Sequence, residues 1–168
     1  MDDDLRRDEE LLRAVTEAER RYLSLFLSSR FRERFVGRAE AGVGITEARI
    51  LWELDARGPT RAGELAGQVE VTPAAITKSL TRLRERGLVE QREDPLDGRA
   101  RLAALTAAGR RAAALLMDEG DRMTRGILDD WSLDERRDFA RLLARFAAGL
   151  QAYADGPDAP GPESRQFS

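Results

Sequence analysis

The clearest constraint on the fold of this chain is the start of one helix at Thr72 and Pro73. A threonine hydroxyl can cap the first turn of a helix, and proline is favoured at the first helical position because its missing N–H is not needed there. We expect the helix to run to Arg86, since Gly87 stands where a glycine commonly ends a helix. A short helix from Arg61 to Gln68, which Thr60 can cap, precedes it across a tight turn. Two helices joined in this way predict a helix-turn-helix.

Two short strand candidates follow, from Leu88 to Arg92 and from Arg99 to Leu105. The residues between them, 93–98, include Pro95 and the pair Asp97-Gly98, which is a hairpin-turn signal. A helix-turn-helix followed by a two-stranded hairpin is the order of a winged helix-turn-helix. We therefore predict a fold that is mainly α with a small two-stranded β-wing.

Long amphipathic helices flank this region. The first is expected from about Asp8 to Phe35. Two others are expected to reach Ala56 and Leu128, with Thr46 and Thr106 as their N-caps. The capping box from Ser132 to Glu135 begins the last helix. The first helix has a heptad-like seam of Leu11, Val15, Ala18, Tyr22 and Leu25, and the apolar side of the last includes Phe139, Leu143, Phe146 and Leu150. Such a seam fits either the core of one subunit or a dimer interface.

The composition excludes several classes of function. The chain has no cysteine and no histidine, which rules out disulfides, thiol sensing, Cys/His metal sites and histidine-based catalysis. Gly42-Val43-Gly44 resembles the start of a dinucleotide-binding loop, but Glu47 stands in place of the third glycine. We therefore expect no enzymatic activity, no cofactor and no metal. No apolar run is long enough to span a membrane and the acidic start is unlike a signal peptide, so a cytoplasmic location is expected.

The distribution of charge favours a nucleic-acid partner more than the net charge of −3 suggests. The acidic residues are concentrated in the first ten positions, whereas residues 72–86 carry Glu85 against four cations. Along this helix Ile76, Leu80 and Leu83 form an apolar face. The opposite face is small or polar and consists of Ala74, Thr77, Lys78, Thr81, Arg82 and Glu85. Small residues let the backbone approach base edges, and hydroxyls and cations bind bases and phosphates, although an ordinary solvated face is the alternative.

A set of short runs between Ile45 and Gly109 forms a recognisable pattern. It consists of Ile45–Leu51, Gly63–Ala66, Val71–Thr77, Leu83–Val89 and Asp94–Arg99, followed by Leu102, Leu105, Thr106 and Gly109. In this pattern the sequence resembles the MarR family of transcription regulators. The spacing of the wing Asp-x-Arg from Leu-Thr-x-x-Gly is the most specific part of this resemblance. The flanking helices fit the family only by length and order.

The resemblance implies a homodimer on double-stranded DNA, with the seam of the first helix and the apolar side of the last helix at the dimer interface. It implies recognition helices in successive major grooves of a palindromic operator. Asp97 would orient the wing, Arg99 would enter the minor groove, and Arg101 is a candidate for the adjacent backbone. The residues expected at the DNA are Thr60, Arg61, Thr72, Pro73, Ala74, Ala75, Thr77, Lys78, Thr81, Arg82, Asp97, Arg99 and Arg101.

The resemblance also implies a small aromatic or anionic effector. The candidate pocket residues are Phe26, Arg30, Phe35, Arg49 and Trp52. The alternative is that the aromatic residues fill the core and the arginines are solvated. Repression is the commoner outcome in similar proteins. Two other functions stay open: a helical dimer whose degenerate winged helix binds protein, and an architectural protein that binds DNA without sequence preference.

The resulting organisation has five parts: an acidic flexible N-terminus (1–9), an N-terminal dimerisation helix and loop (10–44), the winged helix-turn-helix (45–106), C-terminal helices that complete the dimerisation region (107–154) and a disordered tail (155–168). Two positions depart from the family pattern. Glu70 stands where such turns usually have glycine, so a positive φ there would be strained. Leu96 occupies a wing position that is commonly polar, which predicts a packed wing tip.

Overall fold

The computed structural model describes residues 2–156, and it is mainly helical with one small antiparallel sheet. The elements in order are α1 (Asp2–Phe26), α2 (Ser29–Arg38), α3 (Ile45–Arg57), β1 (Thr60–Arg61), α4 (Ala62–Val69), α5 (Pro73–Glu85), β2 (Val89–Asp94), β3 (Asp97–Leu105), α6 (Ala107–Ile127) and α7 (Leu133–Ala154). The expected winged helix-turn-helix is confirmed as α4, α5 and the β2–β3 hairpin. No helix within the described residues has the length and apolar character needed to cross a membrane.

The N-terminal helix differs from the expected single helix between Asp8 and Phe35. It begins at Asp2, so the segment predicted to be flexible, 1–9, is helical from its second residue. It ends at Phe26, and Ser28 starts the separate helix α2. The Ser28 hydroxyl donates to the carbonyl of Leu25 (2.8 Å) and accepts from the N–H of Phe31 (3.2 Å). One serine therefore closes the first helix and caps the second, which a heptad pattern does not reveal.

The core of the first compact unit, which extends to Asp121, lies among α3, α4, α5 and α6. Its fully buried side chains lie on the inward faces of these helices, as expected for amphipathic helices. They are Ile50, Leu51, Leu65, Val69, Ile76, Leu83 and Leu116. This packing leaves the opposite side of α5 facing solvent.

The helix starts agree with the sequence prediction at some positions and correct it at others. Thr72 caps α5 as predicted, since its hydroxyl accepts from the N–H of Ala75 at 3.2 Å. Thr46, however, lies inside α3, whose N-cap is Gly44. Thr60 is not a cap either, because the N-cap of α4 is Arg61. Thr60 lies in β1, where its hydroxyl donates to the carbonyl of Gly58 at 2.9 Å.

The sheet has three strands in the order β1-β3-β2, so the predicted two-stranded wing is incomplete. The two residues of β1, Thr60 and Arg61, pair with Ala103 and Leu102 of β3. The hairpin turn also differs from the prediction, because Asp94 pairs with Asp97 and the chain reverses at the two residues between them. The Asp97-Gly98 pair therefore belongs to β3 and does not form the turn.

The junction between α5 and α6 depends on a close approach of the backbone at Gly109. A Cβ atom added there would lie 1.9 Å from the carbonyl oxygen of Leu88. Thr106 links the same segments: its hydroxyl donates to the carbonyl of Gly87 (2.6 Å) and accepts from the N–H of Gly109 (3.0 Å). The Leu-Thr-x-x-Gly run in the sequence is thus explained by packing.

The second unit begins at Arg122 and contains α7. The predicted capping box is confirmed: the Ser132 hydroxyl accepts from the N–H of Glu135 (3.3 Å), whose carboxylate accepts from the N–H of Ser132 (2.7 Å). Trp131 packs edge-on against Phe139 with ring centroids 5.2 Å apart. Of the tail predicted to be disordered, residues 157–168 lie outside the described part of the chain.

Candidate nucleic-acid interface

The outer face of α5 is largely exposed, with Thr81 half-buried near its middle. Thr72, Pro73 and Ala74 are exposed at its start, and the half-buried Ala75 follows. The short side chains in this first turn leave the backbone accessible, so that base edges or a phosphate could approach the helix N-terminus closely. This geometry is the one expected of a recognition helix.

The hydroxyl groups on this face have fixed orientations. Thr77 donates to the carbonyl of Pro73 at 2.8 Å, and Thr81 donates to the carbonyl of Thr77 at 2.9 Å. Since each hydroxyl proton is already used, the oxygen lone pairs are what remains for an outside partner. Arg84 donates to the oxygen of Thr81 at 3.2 Å, which leaves Thr77 as the more accessible acceptor.

Two cations stand on the same face. Lys78 and Arg82 are exposed, and within residues 2–156 neither side chain takes part in a hydrogen bond or an ion pair. Cations that are not engaged by carboxylates can neutralise phosphates without first breaking an internal ion pair. Both predicted residues are therefore exposed to solvent and available for a phosphate contact.

The wing is fixed beside its turn by a carboxylate that is nearly inaccessible to solvent. Asp94 is 7% exposed. Its Oδ2 accepts from Nε of Arg61 at 2.8 Å, and its Oδ1 accepts from the N–H of Leu96 at 2.9 Å. The Leu96 N–H and then the Arg61 guanidinium hold the pKa of Asp94 below its ordinary value of 3.8, while the hydrogen bond to Asp94 raises the pKa of Arg61.

Predicted DNA contacts near the wing divide into accessible and engaged residues. Arg99 is exposed, and no other described side chain binds its guanidinium. The Asp97 carboxylate accepts from the N–H of Arg99 at 3.1 Å, which fits the predicted orienting role. Arg101 binds Glu93 across the hairpin at 3.0 Å. Arg61 is held by Asp94 and, at 3.9 Å, by Asp97, so it supports the wing.

Thr60 was also expected at the DNA, and its position corrects that expectation. The residue is only 5% exposed. Its pairing with Ala103 depends on a strand that lies 43 residues later in the chain, which local sequence signals do not reveal. Thr60 therefore supports the wing from inside and presents no group to DNA.

The turn between α4 and α5 contains the backbone strain that the sequence suggested. Glu70 adopts φ 56° and ψ 48°, which is the left-handed helical region. Its N–H donates to the carbonyl of Gly67 at 3.2 Å, and the N–H of Val71 donates to Ala66 at 3.0 Å. The turn thus has the conformation that glycine adopts with less strain.

None of the residues predicted for an effector pocket is among those that line the groove of about 430 Å³ beside α3. Phe26 and Phe35 belong to an aromatic row in which Phe26 lies 5.7 Å and Phe35 6.4 Å from Phe31. Arg49 donates to the carbonyl of Gln68 at 3.3 Å, Trp52 is 45% exposed, and Arg30 is exposed. The groove itself is lined by Glu33, Val36, Gly37, Val43, Gly44, Ile45, Thr46, Glu47, Ser79 and Arg82.

Two ion pairs that position this region have no local sequence signal. Glu47 of α3 is 8% exposed and lies 3.6 Å from Arg86, at the end of α5. Arg38 of α2 lies 2.8 Å from Glu119 of α6. The two residues of the first pair are 39 positions apart in the sequence (86 − 47) and those of the second are 81 apart (119 − 38), so only the fold brings them together.

Comparison with known proteins agrees with this geometry. The MarR family model matches residues 44–100, which include α3 to the middle of the wing. The HTH-type transcriptional regulator YxaD of Bacillus subtilis is 32% identical over 99 residues, or 58% of this chain and 68% of YxaD. This chain belongs to the MarR family. YdgJ of the same organism is 32% identical over 109 residues, or 64% of this chain and 66% of YdgJ. HosA of Escherichia coli O111:H- is 34% identical over 75 residues, 45% of this chain and 56% of HosA.

Solved structures support the same MarR-family fold. A MarR family protein from Bacillus stearothermophilus superposes with a TM-score of 0.70 at 22% identity, over 83% of this chain and 96% of that one. RV1404 from Mycobacterium tuberculosis gives a TM-score of 0.63 at 23% identity, over 83% and 92%. Since the matched relatives are transcriptional regulators, this MarR-family chain is a transcription regulator and not an enzyme.

Proposed function

We propose that this MarR-family regulator acts in the cytoplasm as a homodimer that binds a palindromic DNA operator and represses the adjoining gene. Two α5 helices enter successive major grooves about one helical turn apart, and each wing enters a minor groove. The observation that carries the proposal is the presence of Lys78, Arg82 and Arg99 as exposed, unengaged cations on α5 and the wing. Phosphate neutralisation by such residues supplies a large part of the affinity for DNA.

Dimer formation is supported by the apolar surface of α1 and α7. The seam residues Leu11, Val15, Tyr22 and Leu25 are between 50% and 66% exposed. On α7, the predicted interface residues Phe139, Leu143, Phe146 and Leu150 are between 40% and 54% exposed. Ala18 is exposed as well. Apolar stripes of this length on two helices favour burial against a second copy of the chain.

An effector completes the proposal. A small aromatic or anionic molecule would stack on the row formed by Phe26, Phe31 and Phe35, with the exposed Arg30 as a partner for a carboxylate. It would release the operator only by binding more tightly to a dimer arrangement that does not fit DNA. Titration with salicylate, followed by the NMR chemical shifts of this aromatic row, would test whether such a molecule binds there. Displacement of bound DNA by the same compound would measure the coupling between effector and operator binding.

The first experiment compares a duplex taken from upstream of the regulator's own gene with a random duplex, across a series of salt concentrations. We expect preference for the upstream duplex and a slope of log K against log salt of about −0.9 per neutralised phosphate. Lys78→Ala should weaken binding, and Arg125→Ala, which removes the same charge from an exposed site on α6, serves as its control.

The other outcomes distinguish the alternatives. Equal binding to both duplexes would indicate an architectural protein. Absence of binding to a library of random genomic fragments at low salt would exclude the DNA-binding function and leave a protein-binding module.

A further inference from the structure

The apex of the wing presents an apolar side chain to solvent. Leu96 is 94% exposed, the highest value among the large apolar residues that the structure describes. The expectation that the wing tip is packed is therefore wrong. A single exposed leucine is ordinary on a protein surface, so exposure alone assigns no role to it. Its role follows from the way the surrounding backbone is held.

The backbone on both sides of Leu96 is fixed by buried or engaged carboxylates. The N–H of Leu96 itself donates to Oδ1 of Asp94 at 2.9 Å, and Arg61 holds the other oxygen of that carboxylate. On the far side, Asp97 accepts from the N–H of Arg99 at 3.1 Å. A tip held in one conformation loses little conformational entropy when it docks on a partner.

The charges around the tip select the kind of partner. The carboxylates of Asp94 and Asp97 are occupied by Arg61 and by backbone N–H groups, whereas the guanidinium of Arg99 is exposed and unengaged among the described residues. The tip therefore combines an apolar wedge, Pro95 and Leu96, with a cation a few residues away. Proteins that enter the minor groove of DNA use this combination, since cations follow the narrow groove and apolar side chains pack on sugars or between base steps.

We propose that Leu96 makes an apolar contact in the DNA minor groove beside Arg99, and that the Arg61–Asp94 ion pair holds it for that contact. The inference rests on the proposed function, because it requires a bound duplex. It assigns Leu96 a part in sequence preference: the guanine N2 amino group occupies the floor of the minor groove, so A·T pairs leave more room for a leucine.

An apolar contact has a signature that distinguishes it from a phosphate contact. It releases no counterion, so its contribution to log K does not depend on salt. The test measures binding of the wild type, Leu96→Asn and Leu96→Met to the upstream duplex over a salt series. Asparagine and methionine both leave the exposed tip free of clashes, but only methionine is apolar.

We expect Leu96→Asn to bind about three- to tenfold more weakly, with an unchanged salt slope, because part of a leucine side chain leaves its apolar contact. Leu96→Met should stay within about twofold of the wild type, since the swap conserves apolar volume. Hydroxyl-radical footprints should show protection of minor-groove sugars by the wild type and by Leu96→Met, and loss of that protection with Leu96→Asn.

Equal affinity of Leu96→Asn and the wild type would overturn the inference while leaving the proposed function intact. A loss accompanied by a shift of the salt slope of about 0.9 would overturn it as well, since that shift reports a phosphate contact. Failure of the wild type to bind any duplex would reject the proposed function, and the minor-groove role of Leu96 with it.

Discussion

Arg61 and Asp94 lie 33 residues apart in the chain, yet Nε of Arg61 is 2.8 Å from Oδ2 of Asp94 beside the turn of the wing. Arg61 belongs to β1, which joins the sheet next to β3, and Asp94 ends β2 on the other side of β3. The ion pair therefore crosses the whole three-stranded sheet. Because it couples the start of the helix-turn-helix to the wing, its loss should disturb both parts.

The depressed pKa of Asp94 predicts a dependence of stability on acid. Its pKa is lower in the folded chain than the ordinary 3.8, so the stabilisation is fully present above pH 3.8 and disappears as the pH falls through the folded-state pKa. We expect the unfolding free energies of the wild type and Asp94→Asn to differ above pH 3.8 and to converge below it. Urea unfolding at several pH values measures this difference, and a constant gap at every pH would contradict it.

The close approach at Gly109 predicts a large effect of one methyl group. In Gly109→Ala the new Cβ would lie 1.9 Å from the carbonyl oxygen of Leu88, so the backbone must move. We expect the unfolding free energy to fall by at least about 1–3 kcal/mol, the loss that is typical of overpacked sites. Gly126→Ala is the matched control on the same helix, since nothing lies within 4 Å of that Cβ. An equal response of the two variants would show that the junction can relax.

The left-handed conformation of Glu70 predicts a stabilising substitution. Glu70→Gly should raise the unfolding free energy by about 0.5–1 kcal/mol, because relief of the left-handed strain exceeds the greater chain entropy of glycine. Glu64→Gly, within α4, should instead lower it by about 1 kcal/mol. Thermal unfolding of the two variants and the wild type measures both effects. A destabilised Glu70→Gly would indicate that the Glu70 carboxylate itself stabilises the fold.

The exposed guanidinium of Arg99 predicts a loss of DNA affinity without a loss of assembly. Arg99→Ala should bind the upstream duplex at least about tenfold more weakly, the effect expected for one specific contact. Its sedimentation should match that of the wild type. Unchanged affinity would show that the wing does not contact the DNA. Dissociation of the variant into monomers would show that the loss of DNA affinity is indirect.

The exposed seam of α1 predicts that a buried charge will weaken the dimer. Leu25 is 65% exposed in the single chain, so Leu25→Glu should fold normally but bury an unpaired carboxylate on association. We expect a shift toward monomer in sedimentation at about micromolar concentration, where specific complexes normally persist. Leu96→Glu adds the same charge at the wing tip and should leave the dimer intact. A Leu25→Glu variant that stays fully dimeric would exclude the seam from the interface.

Local chemistry explains the parts of the fold that the sequence predicted correctly. Thr72 with Pro73 and Ser132 with Glu135 act within one helical turn, so their capping roles follow from neighbouring residues. The family resemblance correctly marked the region from α3 to the wing. The recognition-helix cations also lie on the exposed face that helical periodicity predicts.

Errors arose where a structure depends on distant partners or on one ambiguous residue. The two-residue strand β1 exists through its pairing with β3, so Thr60 appeared to be a helix cap. Ser28 divides the stretch predicted as one helix from Asp8 to Phe35, and a serine within a helical pattern does not by itself predict a break. The ion pair that holds Asp94 requires Arg61 from another strand, and no sequence-spacing rule relates these two residues.

Lys78 is the sole lysine of this chain, and it is exposed on α5 with no described side chain bound to it. The chain therefore carries one ε-amine, placed on the helix proposed to read the operator. Apart from an α-amine at the chain terminus, an amine-selective acylating reagent finds no other primary amine in this sequence. A single mass shift at one residue could thus report operator occupancy, and any cellular acylation of lysine in this protein would fall on that helix.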